Sequence, residues 1–173
     1  MDSLQWFKGL QTAFSGDFTV SAVKIEKNTL VVTVNSTGFS LFVYPYELME
    51  TAVSDDSLPM PLASLRDLAL MKLIAVNQRG VCKDFIDLKF IMENTGLTLE
   101  VLLQDLRRKY AVGEEIFFQI KKSLIYFDDA ERDLNVNMYA TDRGRFERLG
   151  DDTWQVTKCY FKDMVMTGST REW

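Results

Sequence analysis

Lys72, Arg79, Lys83, Asp84 and Asp87 are the side chains of this sequence best placed to do chemistry together, because they crowd charge into a stretch that is otherwise apolar. Lys72 stands between Met71 and Leu73, and Arg79 follows about two helical turns later, so both cations point the same way. Asp84 and Asp87 are i and i+3 neighbours on the next predicted helix and share one of its faces, and Lys83 can reach Asp87 at i+4. Gly80 permits a sharp turn between the two helices. A cleft with cations beside a carboxylate pair suits a nucleoside triphosphate and its metal, because phosphoryl chemistry is mainly positioning and charge neutralisation. The same spacing also fits a surface ion pair, Lys83 with Asp87, beside a snorkelling Lys72. Spacing does not choose between them.

Composition narrows the alternatives. There are 173 residues and no histidine, so Ser-His-Asp and Cys-His nucleophile systems, an HExxH zinc helix and a histidine proton shuttle are all excluded. The two cysteines, Cys82 and Cys159, cannot make a four-ligand zinc site and read as reduced thiols of a cytoplasmic protein. Apolar residues make up 47% and charged residues 26%, which fits one folded globular domain. A net charge of -5 argues against non-specific coating of nucleic acid. The N-terminus lacks a basic segment followed by an apolar one, and no run of about 18 apolar residues occurs, so neither export nor a membrane span is expected.

Stepping outward along the chain, Leu4, Phe7, Leu10 and Phe14 recur at helical spacing behind a capping Ser3, and Gly16-Asp17 breaks that helix. Three β-branched runs follow, Phe18 to Ile25, Thr29 to Val34 and Phe39 to Tyr44, divided by turn residues, which predicts an antiparallel meander. The third run is apolar at nearly every position and should lie buried on both faces or centrally. A connector over 51–63 carries Pro59, Pro61 and a Ser-Asp-rich stretch, and separates an α/β part (1–50) from a helical part (64–173). In the helical part Ser64 and Asp67 form a capping-box variant, with Leu65, Leu68, Met71 and Ala75 as the inward stripe. A second helix, Cys82 to Glu93, turns Phe85, Leu88 and Ile91 inward. A third, capped by Thr98, buries Leu99, Leu102, Leu103 and Leu106, and a fourth runs from Glu114 to Phe127. Residues 128–152, where acidic side chains outnumber basic ones, read as a solvated loop or hinge. A last helix carries Val156, Cys159, Tyr160 and Met164, and Gly168, Ser169 and Thr170 form a frayed tail.

The run Ser64, Leu65, Arg66, Asp67 and Lys72, continuing through Arg79, Gly80, Lys83, Asp84, Phe85, Ile86, Asp87 and Leu88, closely resembles the signature of the AbiEii/AbiGii nucleotidyltransferase toxins of type IV toxin–antitoxin and abortive-infection systems. The resemblance extends upstream through Phe39 to Tyr46, and downstream through Leu99 to Leu103, Lys109-Tyr110, Ser123 to Glu131, and Trp154 with the helix containing Phe161. It implies an α+β protein: a partial, DNA polymerase β-like antiparallel sheet with a flanking helix, then a helical bundle. It further implies magnesium-dependent transfer of a nucleotide from an NTP, with tRNA a possible acceptor and an antitoxin a possible partner. Lys72, Asp84 and Asp87 would be its catalytic residues, and Lys72, Arg79 and Lys83 would hold the nucleotide.

The family's metal-binding motif, a Gly-Ser turn followed by Asp-x-Asp on a strand, has no counterpart here; the one Gly-Ser pair is Gly168-Ser169, and the adjacent pairs Asp55-Asp56, Asp128-Asp129 and Asp151-Asp152 would diverge on a strand. The helix from Ser3 resembles the one that follows that strand, as though the chain starts just past it. The metal ligands are therefore unknown. The expectation is a phosphate-side half of a nucleotidyltransferase cleft, inactive alone, with an interaction module or a homodimer as the alternative, since an incomplete sheet should expose an edge.

Overall fold

The computed structural model describes residues 2–16, 18–132, 134–140 and 145–167. The chain forms two compact units, Met1–Tyr46 and Glu47–Trp173. Gly16-Asp17, as a helix break, and the tail from Gly168 fall partly or wholly outside the described residues.

In the first unit helix α1 (Ser3–Ala13) packs on strands β1 (Val20–Glu26) and β2 (Thr29–Val34), and β3 (Thr37–Phe42) completes an antiparallel meander of order β1-β2-β3. The helix cap is Asp2, whose carboxylate accepts from the amides of Leu4 and Gln5, and the expected cap Ser3 instead donates its hydroxyl to the Glu26 carbonyl. Asn35 and Ser36 both take positive φ (46° and 71°), the mirror-image turn that matches strand twist in a two-residue hairpin. β2 is the central strand, and its Leu30 and Val32 are buried. β3, expected to be central, is an edge strand and mostly exposed; only Leu41 is half-buried, because Leu41 sits opposite Leu30 in the register. An apolar run signals burial on two faces only where both faces are covered.

The second unit is mainly helical: α2 (Leu65–Arg79), α3 (Cys82–Thr95), α4 (Leu99–Tyr110), α5 (Glu115–Leu124), the single turn α6 (Asp128–Glu131), a hairpin of β4 (Asn137–Ala140) and β5 (Arg145–Arg148), and α7 (Asp151–Thr167). The segment read as a solvated loop thus contains α6 and the hairpin. At the core centre the ring of Phe85 meets those of Phe127, Trp154 and Phe161 at centroid distances of 5.4, 5.9 and 5.6 Å. α4 buries the four leucines expected of it. α2 does not follow its expected stripe: Ala69, Leu70, Leu73 and Val76 are buried while Leu65 is exposed, because α2 packs against both α3 and α5. On α7 the inward residues are Trp154, Thr157, Tyr160, Phe161 and Met164, with Val156 and Cys159 outside. Neither Cys82 nor Cys159 is in a disulfide.

Among the buried carboxylates that tie this unit are Asp67 and Asp105. Asp67 is fully buried; it accepts from the Ser64 hydroxyl, from the amides of Met49 and Glu50, and from the buried Lys109 ammonium at 2.5 Å. The Ser64 hydroxyl in turn accepts from the Asp67 amide, capping α2. Residues 47–50 are thereby pinned to α2 and α4, with Lys109 also donating to the Glu47 carbonyl. Asp105, buried on α4, takes a bidentate fork from Arg66 at 2.6 and 2.8 Å.

Candidate functional site

α2 ends because Gly80 adopts the left-handed conformation (φ 54°, ψ 34°), which closes its amide onto the Ala75 carbonyl and turns the chain at once into α3. The two-residue link Gly80-Val81 folds the last turn of α2 against the first turn of α3. Those are the helix ends at which a cation and an anion are respectively favoured, and Arg79 and Asp84 occupy them. Arg79 donates Nε to Asp84 Oδ2 at 2.8 Å and Nη2 to Oδ1 at 2.9 Å, a planar fork on a carboxylate. Lys72 reaches in from one side, its Nζ 3.2 Å from Asp84 Oδ1 and 2.5 Å from Asp87 Oδ2.

Four of the five residues singled out by spacing are therefore one network. Lys83 takes no part in it: it is exposed, and Asp87 pairs with Lys72 rather than with its i+4 neighbour. The half-buried Lys72 ammonium, brought to Asp87 by the packing of α2 on α3, takes the carboxylate in place of solvated Lys83. The Asp67–Lys109 and Arg66–Asp105 pairs had no role assigned from sequence. A signal existed, since Asp67 stands one turn before the buried Leu70, and Asp105 stands between Leu103 and Leu106 on an apolar face.

Asp84 is wholly buried, Lys72 half-buried, and Asp87 and Arg79 open to solvent. Burial opposes the charge on Asp84, but the Arg79 fork and the Lys72 ammonium overcome it and hold the carboxyl below the usual carboxylate range. Burial likewise opposes the charge on Lys72, and Asp87 and Asp84 overcome it, raising its pKa. Arg79 is raised by its bond to Asp84. At neutral pH Lys72 is therefore a cation and Asp84 an anion. What the arrangement offers is preorganised charge: Arg79 spends one edge of its guanidinium on Asp84 and is otherwise exposed.

A nucleotide's magnesium needs oxygen donors that are free. Both Asp84 oxygens are engaged by cations, Asp87 is engaged by Lys72, and among the described residues no three acidic or cysteine side chains stand close enough to hold a metal. These residues do not fit a magnesium ion.

A family model described as the nucleotidyl transferase AbiEii toxin of a type IV toxin–antitoxin system matches residues 12–160. The chain belongs to the AbiEii family. It is also similar to an uncharacterized protein of Aquifex aeolicus (strain VF5), with 38% identity over 108 residues, which is 62% of this chain and 52% of that protein. The chain thus spans about half the length of that relative. No solved structure matches it. The AbiEii match covers α2, α3 and the Lys72–Arg79–Asp84–Asp87 network, together with the whole sheet. Among the described residues no helix is long and apolar enough to cross a membrane.

Proposed function

We propose that this AbiEii chain holds the phosphates of a nucleoside triphosphate at Lys72 and Arg79, the phosphate side of a nucleotidyl-transfer cleft. The supporting observation is the bidentate Arg79–Asp84 pair with Lys72 locked beside it, two cations oriented by a buried carboxylate at a two-residue helix junction. In this reading Asp84 is a positioning residue, and Asp87 is the exchangeable partner that a phosphate displaces from Lys72. Exposed Lys83, on the adjoining turn of α3, adds long-range attraction for the triphosphate.

The acceptor in this reading is tRNA, the partner a cognate antitoxin, and the setting the cytoplasm. The reading routes no step through magnesium, because both carboxylates of the network are committed to cations, and it assigns no transfer activity to the 173-residue chain acting unaided.

The test is equilibrium binding of labelled ATP, GTP, CTP and UTP to the full chain with and without magnesium, run alongside label transfer into total tRNA. The expected result is NTP binding without transfer, weakened at least about tenfold in Lys72→Ala, or about 1.4 kcal/mol. Transfer by the lone chain that Lys72→Ala abolishes would overturn the inactive reading. Absence of NTP binding by a folded chain would overturn the phosphate site.

A second reading, a non-catalytic interaction module, is favoured by the neutrality of the network, in which two cations meet two carboxylates. It expects a stoichiometric protein partner whose capture is indifferent to nucleotide.

A further inference from the structure

The meander has two edges, and they are built differently. Along β1 the pairing with β2 slips between Ala22 and Lys24, and the outer end carries Lys24 and Glu26, a solvated ion pair at 3.2 Å. A bulge and charges are the usual means by which an edge is kept from pairing with another strand. β3 has neither. Thr37 to Phe42 pair with β2 in unbroken register and contain no charge, no proline and no bulge, and Val43 and Tyr44 continue the uncharged run. Phe39 and Phe42 on this strand are about half exposed, at 48% and 54%, and Val43 beyond it is 45% exposed.

The direction of the free backbone groups follows from the pairing. The Val43 amide donates to the Asn28 carbonyl, so Val43, Leu41 and Phe39 turn their amides and carbonyls toward β2. Gly38, Ser40 and Phe42 turn theirs outward, where β3 has no strand neighbour among the described residues. An antiparallel two-fold pairing of β3 with itself, centred on Ser40, would set Ser40 against Ser40, Gly38 against Phe42 and Phe39 against Leu41 of the other copy. Each outward donor then meets an outward acceptor, an aromatic ring covers a glycine, and no like charges face each other. Self-pairing about a two-fold axis requires that a strand complement its own reverse, since Gly38 meets Phe42 and Phe42 meets Gly38 of the other copy. β1 would carry its bulge into the same seam and fails that requirement.

We propose that β3 is a homodimerisation edge: two copies of this chain pair antiparallel along Thr37–Phe42 through Gly38, Ser40 and Phe42, joining their meanders into one sheet. A seam one strand long buries less than the usual stable interface, so the dimer forms in the micromolar range and exchanges readily.

The experiment is sedimentation equilibrium of the full chain from about 1 to 100 µM, the range in which such an interface dissociates. The expected result is a monomer–dimer equilibrium that Val23→Lys, on β1, leaves unchanged. Ser40→Lys and Ser40→Glu, each shown folded by circular dichroism, should weaken it at least tenfold when alone, because identical charges then meet at the axis. An equimolar mixture of the two should restore it as a heterodimer. A monomer throughout the range overturns the proposal. So does a dimer indifferent to both Ser40 substitutions, or one that Val23→Lys disrupts equally. If the serine variants do not fold, a wild-type dimer in which hydrogen exchange at Gly38, Ser40 and Phe42 slows with concentration supports the edge, and one in which it does not overturns it.

Discussion

Asp84 and Asp67 are buried carboxylates kept ionised by different means, and their titration should dominate the acid behaviour of the protein. Both are held below their ordinary value of 3.8, against burial, by the Arg79 fork and Lys72 for Asp84, and by Lys109 and the amides of Met49 and Glu50 for Asp67. A depressed folded pKa stabilises the fold above the unfolded value and loses that contribution as pH falls through the folded one. Stability should therefore hold from neutrality to about pH 4 and fall below it. In urea unfolding at neutral pH, Asp84→Asn should cost about 2 kcal/mol, the value of a hydrogen bond to a charged group. The deficit should shrink as pH falls below 3.8, where the unfolded chain takes up the proton, and be gone once the native carboxyl, held lower, protonates as well; a deficit constant with pH would show that Asp84 is not ionised in the native fold. Lys109→Met should be harsher. It leaves Asp67 charged and without its ammonium at 0% exposure, so about 3–5 kcal/mol should be lost, visible as a lower urea midpoint with an unchanged slope. At this scale Lys72, Arg79, Asp84 and Asp87 were legible in the sequence because helical spacing puts them on facing surfaces. The identity of the pairs was not legible: i+4 geometry nominates Lys83 for Asp87, and only the tertiary fold brings Lys72 closer.

The helix ends show how local sequence and global fold agree or conflict. Gly80 and Ala111 both stand at left-handed C-caps, with φ of 54° and 52°, but only glycine is at ease there. A Cβ on Gly80 would meet only ordinary contacts, the nearest at 3.6 Å to the Val76 carbonyl oxygen, so the penalty for Gly80→Ala comes from φ alone. It should be about 1 kcal/mol, or a Tm lower by about 2–4 °C, and because this link sets the α2–α3 junction, NTP affinity should fall with it. Ala111→Gly should do the reverse or nothing, since relief of strain offsets the greater freedom glycine gives the unfolded chain. Calorimetry of the pair tests both signs, and a loss from Ala111→Gly would mean that the cap is not strained. Legibility at this scale follows coverage. α4 buries one face, and its leucines announce that face; α2 is covered on two sides, so its stripe is smeared and the expected phase is wrong. The hairpin of β4 and β5 escaped because four-residue strands carry too few alternations to rise above the charge around them.

Across the whole molecule the two units are unequally supported. The second is held by a continuous core around Phe85, Phe127, Trp154 and Phe161 and by buried carboxylate ties at Asp67, Asp84 and Asp105. The first buries only Leu30 and Val32 among its described apolar residues, and a unit this small sits near the size below which chains seldom fold without help. Opening free energies should therefore differ. Amides of β1 and β2 should exchange at much lower cost than those of α3, with exchange in α3 set by global unfolding. Trp154→Ala, which removes a buried ring from the second core, should cost about 3–5 kcal/mol there and lower the protection of α3 far more than that of β2. Equal loss of protection in both would mean that the units open as one. Dimerisation adds a dependence the single chain cannot produce. The Gly38, Ser40 and Phe42 amides face outward and exchange freely in a monomer, whereas the odd-numbered amides of β3 are already bonded to β2. Raising the concentration through the dissociation constant should protect the even-numbered amides first and then, by mass action, the rest of the meander, because pairing stabilises only the sheet's folded form. An alternating pattern along one strand is diagnostic of an edge-to-edge seam, since packing of one sheet face on another would leave those outward amides exchanging as before.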